Sequence, residues 1–319
     1  MSKPFRILSI DGGGMMGAFP AAALAAFERA TGRRVVDHFD LITGTSTGGI
    51  IAIGLAMGAT AEQISAFYET EGPKIFPRRT GMQGWIGRAK DLFRPKYSNA
   101  GLRAAVEGVV GDRPLKEAKT RLVIPSYDVN TGKVYLFKTP HHENARANAD
   151  LPALDAALAT SAAPTFFPAH VIPGLGTFID GGMWANCPAV VGLVEAMDFL
   201  GRAPEDVRML SISTTNYPFL IDDPGKLRGL LGWAPKLVDT FMFGQAQSAV
   251  NTAFCLLKRG LFHRIDYVVP AQAYSMDAAA AARDVASRGR VIAELNENMR
   301  VVREQFLNGD PTEPYTPLA

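Results

Sequence analysis

A serine set between two glycines is the first feature of this chain that could do chemistry. The segment Gly44-Thr45-Ser46-Thr47-Gly48 follows an apolar run, FDLIT, and precedes an apolar segment that contains further glycine. This pattern between a strand and a helix is typical of a nucleophile elbow, in which the glycines allow a turn tight enough to expose the serine hydroxyl. The following helix points the positive end of its dipole at any anion formed there. Ser46 is predicted to be a nucleophile; a turn serine that caps the helix is the alternative.

A serine nucleophile needs a base, and the five histidines offer no good candidate. His263 is the one that lies far enough along the chain after a candidate acid, but the segment LFHRIDY predicts that it lies where a strand begins. The others precede a strand or lie in polar or proline-bounded turns: His38, His141, His142 and His170. A histidine base is therefore not favoured.

Asp180 is the better candidate for the base. It ends the apolar segment GTFID, and Gly181-Gly182 lets the chain turn away and leaves the carboxylate at the edge of the sheet. A carboxylate whose basicity is raised by partial burial can take the proton of a serine hydroxyl within hydrogen-bond reach. An ordinary Asp-Gly turn explains the same letters, so this motif alone is weak.

A glycine-rich loop, Asp11–Gly17 (DGGGMMG), leaves the first predicted strand and opens a helix. Consecutive glycines let backbone amides approach a ligand oxygen, so Gly12, Gly13 and Gly14 could form an oxyanion hole beside the nucleophile.

The rival interpretation of this loop is a dinucleotide-binding fingerprint, because Gly12, Gly14 and Gly17 match its spacing. That fingerprint needs an acid at the end of the second strand. Asp37 follows Gly17 by 20 residues but precedes FDLIT, and the second strand ends in Thr43-Gly44-Thr45-Ser46. The nucleotide interpretation is therefore disfavoured.

The elements that must position these residues alternate between strand and helix. Apolar runs and turn residues predict strands at 5–10, 39–43, 176–180, 207–214 and 264–269, and a hairpin that turns near 130–132. Helices are predicted at 20–30, 47–56, 61–75, 98–110, 151–161, 236–261 and 284–306. This order predicts an α/β fold with a mainly parallel sheet covered on both faces. No repeat or linker interrupts residues 1–319, so one domain is expected.

Composition excludes several classes of protein. The 33 basic and 31 acidic residues give a net charge of +2, so no global field points to DNA or RNA. Two cysteines predict a reducing compartment. The sequence contains no uncharged apolar run of about 18 residues, so no membrane span is predicted. Since MSKPFRILSI leads directly into the first strand, a cytoplasmic protein is expected.

DGGGMMG, GTSTGG and DGG in this order resemble the patatin-like phospholipase family, over residues 5 to about 200. The resemblance implies a three-layer α/β sandwich in which Ser46 and Asp180 form a catalytic dyad. It also implies an oxyanion hole in the Gly12–Gly14 loop, with Gly13 and Gly14 as the preferred donors. The implied reaction is hydrolysis of glycerophospholipid acyl esters through an acyl-enzyme without a metal or other cofactor. The remaining motif glycines are Gly17, Gly44, Gly48, Gly181 and Gly182.

Two positions depart from the family pattern. Met16 stands where the family often has Arg or Lys, and Cys187 replaces the second Asn of ANNP. Both departures leave the head-group preference open.

Four longer stretches are similar to a bacterial subgroup of the family: FDLITGTSTGGIIAIGLAMG, YETEGPKIFP, LATSAAPTFFP and DGGMWANCPAVVGLVEA. Members of that subgroup are effectors of cyclic-oligonucleotide antiphage signalling (CBASS), which a cyclic dinucleotide activates to degrade the membrane. The resemblance implies a cyclic dinucleotide as activator, but does not identify the residues that bind it.

Two segments could meet a bilayer. Residues 77–97 interleave basic and apolar side chains, which suits an anionic lipid surface, the phosphates of an activator, or a solvated loop packed through Trp85. The candidate contact residues in the segment 77–97 are Arg78, Arg79, Trp85, Arg88, Lys90 and Phe93. The second segment, 227–261, is interpreted as a core or homo-oligomer helix, with an acyl-chain lid as the alternative. The protein is expected to act peripherally at the inner membrane.

Two other functions remain open at this point. One is a soluble esterase that acts on small acyl substrates. The other is a non-catalytic lipid- or nucleotide-binding module that retains the glycine loops.

Overall fold

The computed structural model describes residues 3–77, 95–215, 229–257, 260–269 and 276–318. The strands are β1 (Phe5–Ile10), β2 (Leu41–Gly44), β3 (Arg121–Asp128), β4 (Lys133–Lys138), β5 (His170–Ile172), β6 (Gly176–Asp180), β7 (Val207–Ile212) and β8 (Phe262–Ile265). The helices are α1 (Ala18–Thr31), α2 (Thr47–Ala56), α3 (Ala61–Ile75), α4 (Asn99–Val110), α5 (Ala153–Thr160), α6 (Gly182–Ala185), α7 (Ala189–Val194), α8 (Gly229–Leu256), α9 (Ala282–Glu294) and α10 (Asn296–Val301).

The described strands form one mixed sheet. β1 lies between β2 and β7 and is parallel to both, while β3 and β8 extend the parallel part on either side. β4 and β6 pair antiparallel with β3, and β5 pairs antiparallel with β6.

Both faces of the central parallel strands are buried. All six residues of β1 are buried, and its apolar side chains divide between two apolar clusters. Leu8 and Ile10 pack with α1, α2 and α3, whereas Phe5 and Ile7 pack with side chains of α7 and α8. A strand that is apolar on both faces is typical of a parallel sheet covered by helices on both sides. The predicted α/β class, with three layers, is confirmed.

The two edges of β3 explain how distant motifs meet. Residues Val123–Asp128 of β3 pair with β4 along one edge. β2 pairs at 121–123 and β6 at 126–128, so both must use the other edge. The carboxyl ends of β2 and β6 therefore point towards each other across Ile124 and Pro125.

Local signals set several boundaries as predicted. β1, β6, α2 and α3 have the predicted limits. The start of α3 is a capping box: Gln63 N donates to Thr60 Oγ1 at 3.0 Å, and Thr60 N donates to Gln63 Oε1 at 2.8 Å. Helix α1 ends where Gly32 takes a left-handed conformation, φ 66°.

Helix α4 follows Ser98 and ends at Val110 as predicted, but the Ser98 side chain makes no capping hydrogen bond. Other boundaries were predicted incorrectly. β8 begins at Phe262 and ends at Ile265, four residues before the predicted end. The predicted helix 284–306 is broken at Leu295, whose ψ of 132° is extended. None of the described helices has the length and hydropathy needed to span a membrane.

Candidate active site

Ser46 lies in the tight turn between β2 and α2. Its φ of 53° and ψ of −121° are unusual for a residue with a side chain. A Cβ on Gly44 would collide with the backbone of Gly48, and a Cβ on Gly48 would collide with the carbonyl of Ile10. The strand and helix therefore approach as closely as the elbow pattern predicts, and Ser46 lies at the amino end of α2.

Asp180 lies beside Ser46 at the end of β6. The Ser46 hydroxyl donates a hydrogen bond to the Asp180 carboxylate. Gly182 N also donates to Asp180 Oδ1, at 2.7 Å. Asp180 is only 6% exposed, and its burial raises its pKa to about 6, although both hydrogen bonds act in the opposite direction. The geometry thus joins a hydroxyl to a carboxylate that is ionised at neutral pH and more basic than usual.

All five histidines lie in the described part of the chain, and none lines the cavity that contains Ser46 and Asp180. His263 Nε2 pairs with Asn298 Oδ1 at 3.0 Å, and His170 Nε2 pairs with Asp155 Oδ1 at 2.9 Å. No histidine in this structure is placed to act on Ser46.

The glycine loop lies next to the serine. An ideal Cβ on Gly12 would be 3.4 Å from the Cβ of Ser46. The Gly12 amide, however, already donates to the carbonyl of Asn186 at 2.9 Å. Among the described residues, the amides of Gly13 and Gly14 have no acceptor, and Gly14 has a φ of 57°. The predicted donor set therefore narrows to Gly13 and Gly14.

A buried ion pair fixes the start of this loop. Arg264 Nη1 donates to Asp11 Oδ1 at 3.0 Å, and Nη2 donates to Oδ2 at 2.5 Å. Arg264 Nη1 also donates to Ser211 Oγ at 2.7 Å. Cys187, one of the departures from the family pattern, lies beside the pair, and burial raises the pKa of its thiol to about 12. Sequence reasoning missed Arg264 because no motif surrounds it.

Gly17, Gly181 and Gly182 lie where the chain packs tightly around the site. A Cβ on Gly17 would collide with the hydroxyls of Thr47 and Tyr68, and one on Gly181 with the carbonyl of Pro125. A Cβ on Gly182 would lie 3.0 Å from Asp180 Oδ1. These motif glycines thus let the backbone pack closely around Ser46 and Asp180, where a side chain would not fit.

An apolar cavity extends from Ser46 and Asp180. Gly13 and Gly14 line it near the polar groups. Most of the remaining lining is aliphatic or aromatic, including Ile50, Phe67, Phe76, Leu102, Phe166 and Phe167. A cavity of this chemistry fits a hydrocarbon chain with an ester at its polar end.

A second polar cluster lies outside this cavity. Glu195 Oε1 accepts hydrogen bonds from Nε2 of His141 at 2.8 Å and of His142 at 2.7 Å. Lys138 Nζ donates to the other oxygen at 2.6 Å. Burial opposes ionisation, but the bonds from His141 and Lys138 lower the pKa of Glu195 to about 2. The three ligand-type side chains could hold a metal, but Lys138 already balances the carboxylate, so a divalent ion would add uncompensated charge.

The predicted membrane or activator contacts fall outside the described residues: Arg78, Arg79, Trp85, Arg88, Lys90 and Phe93.

Helix α8 both buries and exposes apolar side chains. Ala253 is fully buried, whereas Phe241 is 68% exposed and Phe254 47% exposed.

The patatin-like phospholipase family model matches residues 8–193, which contain the glycine loop, the Ser46 elbow and Asp180. The chain belongs to the patatin-like phospholipase family. This patatin-like phospholipase is thus a lipid acyl hydrolase, and the predicted family and enzyme class are confirmed.

Relatives extend the similarity beyond the matched region. A cGAMP-activated phospholipase from Vibrio cholerae serotype O1 is 35% identical over 92% of this patatin-like phospholipase and 91% of its own length. Another cGAMP-activated phospholipase, from Pseudomonas aeruginosa, is 33% identical over 86% of this chain and 82% of its own. The solved structure of VipD from Legionella pneumophila aligns with 92% of this chain and 67% of its own, with a TM-score of 0.46 and 10% identity.

Proposed function

We propose that this patatin-like phospholipase cleaves glycerophospholipid acyl esters through a dyad of Ser46 and Asp180. The observation that carries the proposal is the hydrogen bond from the Ser46 hydroxyl to a buried carboxylate at the end of an apolar cavity. A base of raised pKa within hydrogen-bond reach is what proton abstraction from serine requires.

Acylation begins when Asp180 takes the hydroxyl proton and Ser46 Oγ bonds to the ester carbonyl carbon. The carbonyl oxygen becomes an oxyanion, which the amides of Gly13 and Gly14 and the amino end of α2 stabilise. The intermediate then breaks its bond to the glycerol oxygen. That oxygen takes the proton from Asp180 and leaves as a lysophospholipid, while the acyl group remains on Ser46.

Deacylation repeats these steps with water. Asp180, again ionised, takes a proton from a water molecule that attacks the acyl-enzyme carbonyl. The second oxyanion collapses, Ser46 Oγ recovers the proton and a fatty acid leaves. Throughout, the apolar cavity holds the acyl chain and excludes bulk water from the carboxylate.

The dyad is tested with vesicles of phosphatidylethanolamine and phosphatidylglycerol, on which fatty acid release is measured. Ser46→Ala is expected to abolish release, and Asp180→Asn to lower kcat at least about 100-fold, because each removes a reacting group. His263→Ala is the control and should retain activity. If Asp180→Asn remained active while His263→Ala did not, a histidine triad would replace the dyad.

We further propose that a cyclic dinucleotide activates the enzyme at the cytoplasmic face of the inner membrane, in antiphage defence. The support is the 35% identity, over nearly the whole of both chains, to a protein named for activation by cGAMP. The test compares vesicle hydrolysis with and without a panel of cyclic dinucleotides. At least a tenfold increase with one of them is expected, and equal rates with all of them would contradict activation.

The same vesicle assay addresses the soluble-esterase alternative. The quantity compared is the ratio of the rate on vesicle phospholipid to the rate on a short-chain ester. This ratio should be higher for a membrane-active phospholipase than for a soluble esterase. A rate on the short ester that exceeds the vesicle rate under activating conditions would favour the esterase.

A further inference from the structure

The conformation of Ser46 needs support from its surroundings. Its φ of 53° lies in the left-handed region, which residues with a side chain rarely adopt. Such a conformation persists only where neighbouring groups hold it. The groups that hold the Ser46 backbone therefore determine where its hydroxyl lies.

Thr160, the last residue of α5, contacts that backbone directly. Its side-chain oxygen accepts a hydrogen bond from Ser46 N at 3.0 Å and donates one to the carbonyl of Pro125 at 2.6 Å. Thr160 is fully buried, so water cannot take over these bonds. A hydroxyl can accept and donate at once, whereas the methyl group of an isosteric valine can do neither.

The backbone at the end of α5 also contacts the acid. Asp180 N donates to the carbonyl of Ala162 at 3.0 Å, and Gly181 N donates to the carbonyl of Thr160 at 3.4 Å. One segment of three residues thus contacts the backbone at both Ser46 and Asp180. Of these contacts, only the one to Ser46 uses a side chain.

We infer that Thr160 is a positioning residue that sets the Ser46 hydroxyl against the Asp180 carboxylate. The inference rests on the dyad proposed above. Without the hydroxyl, Ser46 N and the Pro125 carbonyl lose their buried partner and the turn is free to relax. A misplacement of about 1 Å at a reacting atom can lower a rate about 100-fold.

Two complementary substitutions test the role of the hydroxyl. Thr160→Val removes the oxygen and keeps the methyl group, which packs against Gly49. Thr160→Ser keeps the oxygen and removes that methyl group. On phospholipid vesicles, Thr160→Val is expected to lower kcat about 100-fold with KM changed less than threefold, because the acyl cavity is intact. Thr160→Ser should stay within threefold of the native kcat.

The pH profile separates positioning from a general loss of structure. The acidic limb of the rate of Thr160→Val should move to higher pH, because a displaced Ser46 hydroxyl no longer lowers the pKa of Asp180, whereas the Gly182 contact is unchanged. Thr120→Val is the matched control: its buried hydroxyl donates to the carbonyl of Phe39 at 2.7 Å, before β3 begins and away from the catalytic end. It should lose stability without losing kcat.

The outcomes are distinct. A kcat within threefold of native for Thr160→Val, or an equal loss for Thr160→Ser, would overturn the inference. If Thr160→Val is unfolded by its melting curve, Thr160→Ala is measured by the same criteria below its melting temperature. Activity in Ser46→Ala or Asp180→Asn would instead remove the dyad itself. If the dyad variants were inactive and Thr160→Val were active, only the proposed role of Thr160 would be rejected.

Discussion

Asp180 has to be ionised to take a proton from Ser46, and its burial works against that ionisation. The carboxylate is almost inaccessible to solvent, and the Ser46 hydroxyl and the Gly182 amide are the two donors that offset part of the burial. The resulting pKa of about 6 leaves most molecules ionised at pH 7 while keeping the carboxylate more basic than a solvated one.

The rate should therefore depend on pH through Asp180. The ionised form is the base, so kcat/KM for a substrate without a titratable group should rise as the pH increases through about 6 and level off above 7. Initial rates between pH 4.5 and 8 measure this. A rate that stays constant from pH 5 to pH 8 would mean that Asp180 does not supply the base.

The same carboxylate should reduce the stability of the folded protein. Its pKa is about 6 when folded and about 3.9 when unfolded, so at pH 7 ionised Asp180 costs about 3 kcal/mol. Asp180→Asn keeps an oxygen for Gly182 N and removes the charge. The variant should unfold at a higher temperature than the native protein at pH 7, and the difference should fall between pH 6 and pH 4 and vanish below. If the difference in melting temperature between the variant and the native protein were the same at pH 7 and pH 4, the burial argument would be contradicted.

At the scale of elements, the site depends on strands and loops that pair far from their sequence neighbours. β2 and β6 share an edge of β3, which brings the elbow serine and the acid together. The glycine loop after β1 is held from β8 through the pair of Asp11 and Arg264. The catalytic end of the sheet is thus stabilised from both sides of β1.

Arg264→Met should show how much the ion pair contributes. It leaves the Asp11 carboxylate buried without a counter-charge, which is expected to cost about 3–5 kcal/mol in the free energy of unfolding and to lower kcat by displacing the glycine loop. The double variant Asp11→Asn with Arg264→Met should recover much of that stability. Denaturant unfolding measures both effects.

Arg300→Met is the control for this pair. Arg300 and Glu304 are paired at 3.0 Å and are both exposed, so the loss should stay below about 1 kcal/mol. A loss for Arg264→Met no larger than that of the control would show that the buried pair does not hold the loop.

At the scale of the whole molecule, helices from several parts of the chain enclose the apolar cavity. Side chains of α2, α3 and α4 line it together with the loop that follows α5, and Met183 of α6 and Met242 of α8 also contribute to the lining. Because these elements come from separate parts of the chain, the volume available to an acyl chain depends on how the helices pack.

Leu102→Phe should make the enzyme select against long acyl chains. Leu102 is buried in α4 and lines the cavity, so a larger side chain there takes space from the substrate. The kcat/KM for long-chain phospholipid is expected to fall at least tenfold, with less than a threefold change for a short-chain ester. Val106→Leu adds bulk to the same helix away from the cavity lining and should leave the ratio of the two rates unchanged. Equal effects of Leu102→Phe on both substrates would contradict an acyl-chain site.

The sequence by itself determined the features that depend on near neighbours in the chain. The limits of β1, α2 and α3 follow from apolar periodicity, glycine and the capping box at Thr60. Ser46 and Asp180 could be selected because each has glycines beside it where a strand ends. Their roles as nucleophile and base, and the single domain, remain predictions.

Only the tertiary structure decided how distant residues combine. Ser46 meets Thr160 across 114 positions, and Arg264 meets Asp11 across 253. The Gly12 amide donates to the carbonyl of Asn186, which is also distant in the sequence. That bond leaves Gly13 and Gly14 as the candidate oxyanion donors of the loop. Any threonine or arginine could make such bonds, and its residue type says nothing about its partner. Packing and strand pairing bring the partners together, since a buried donor or acceptor must find one within the fold.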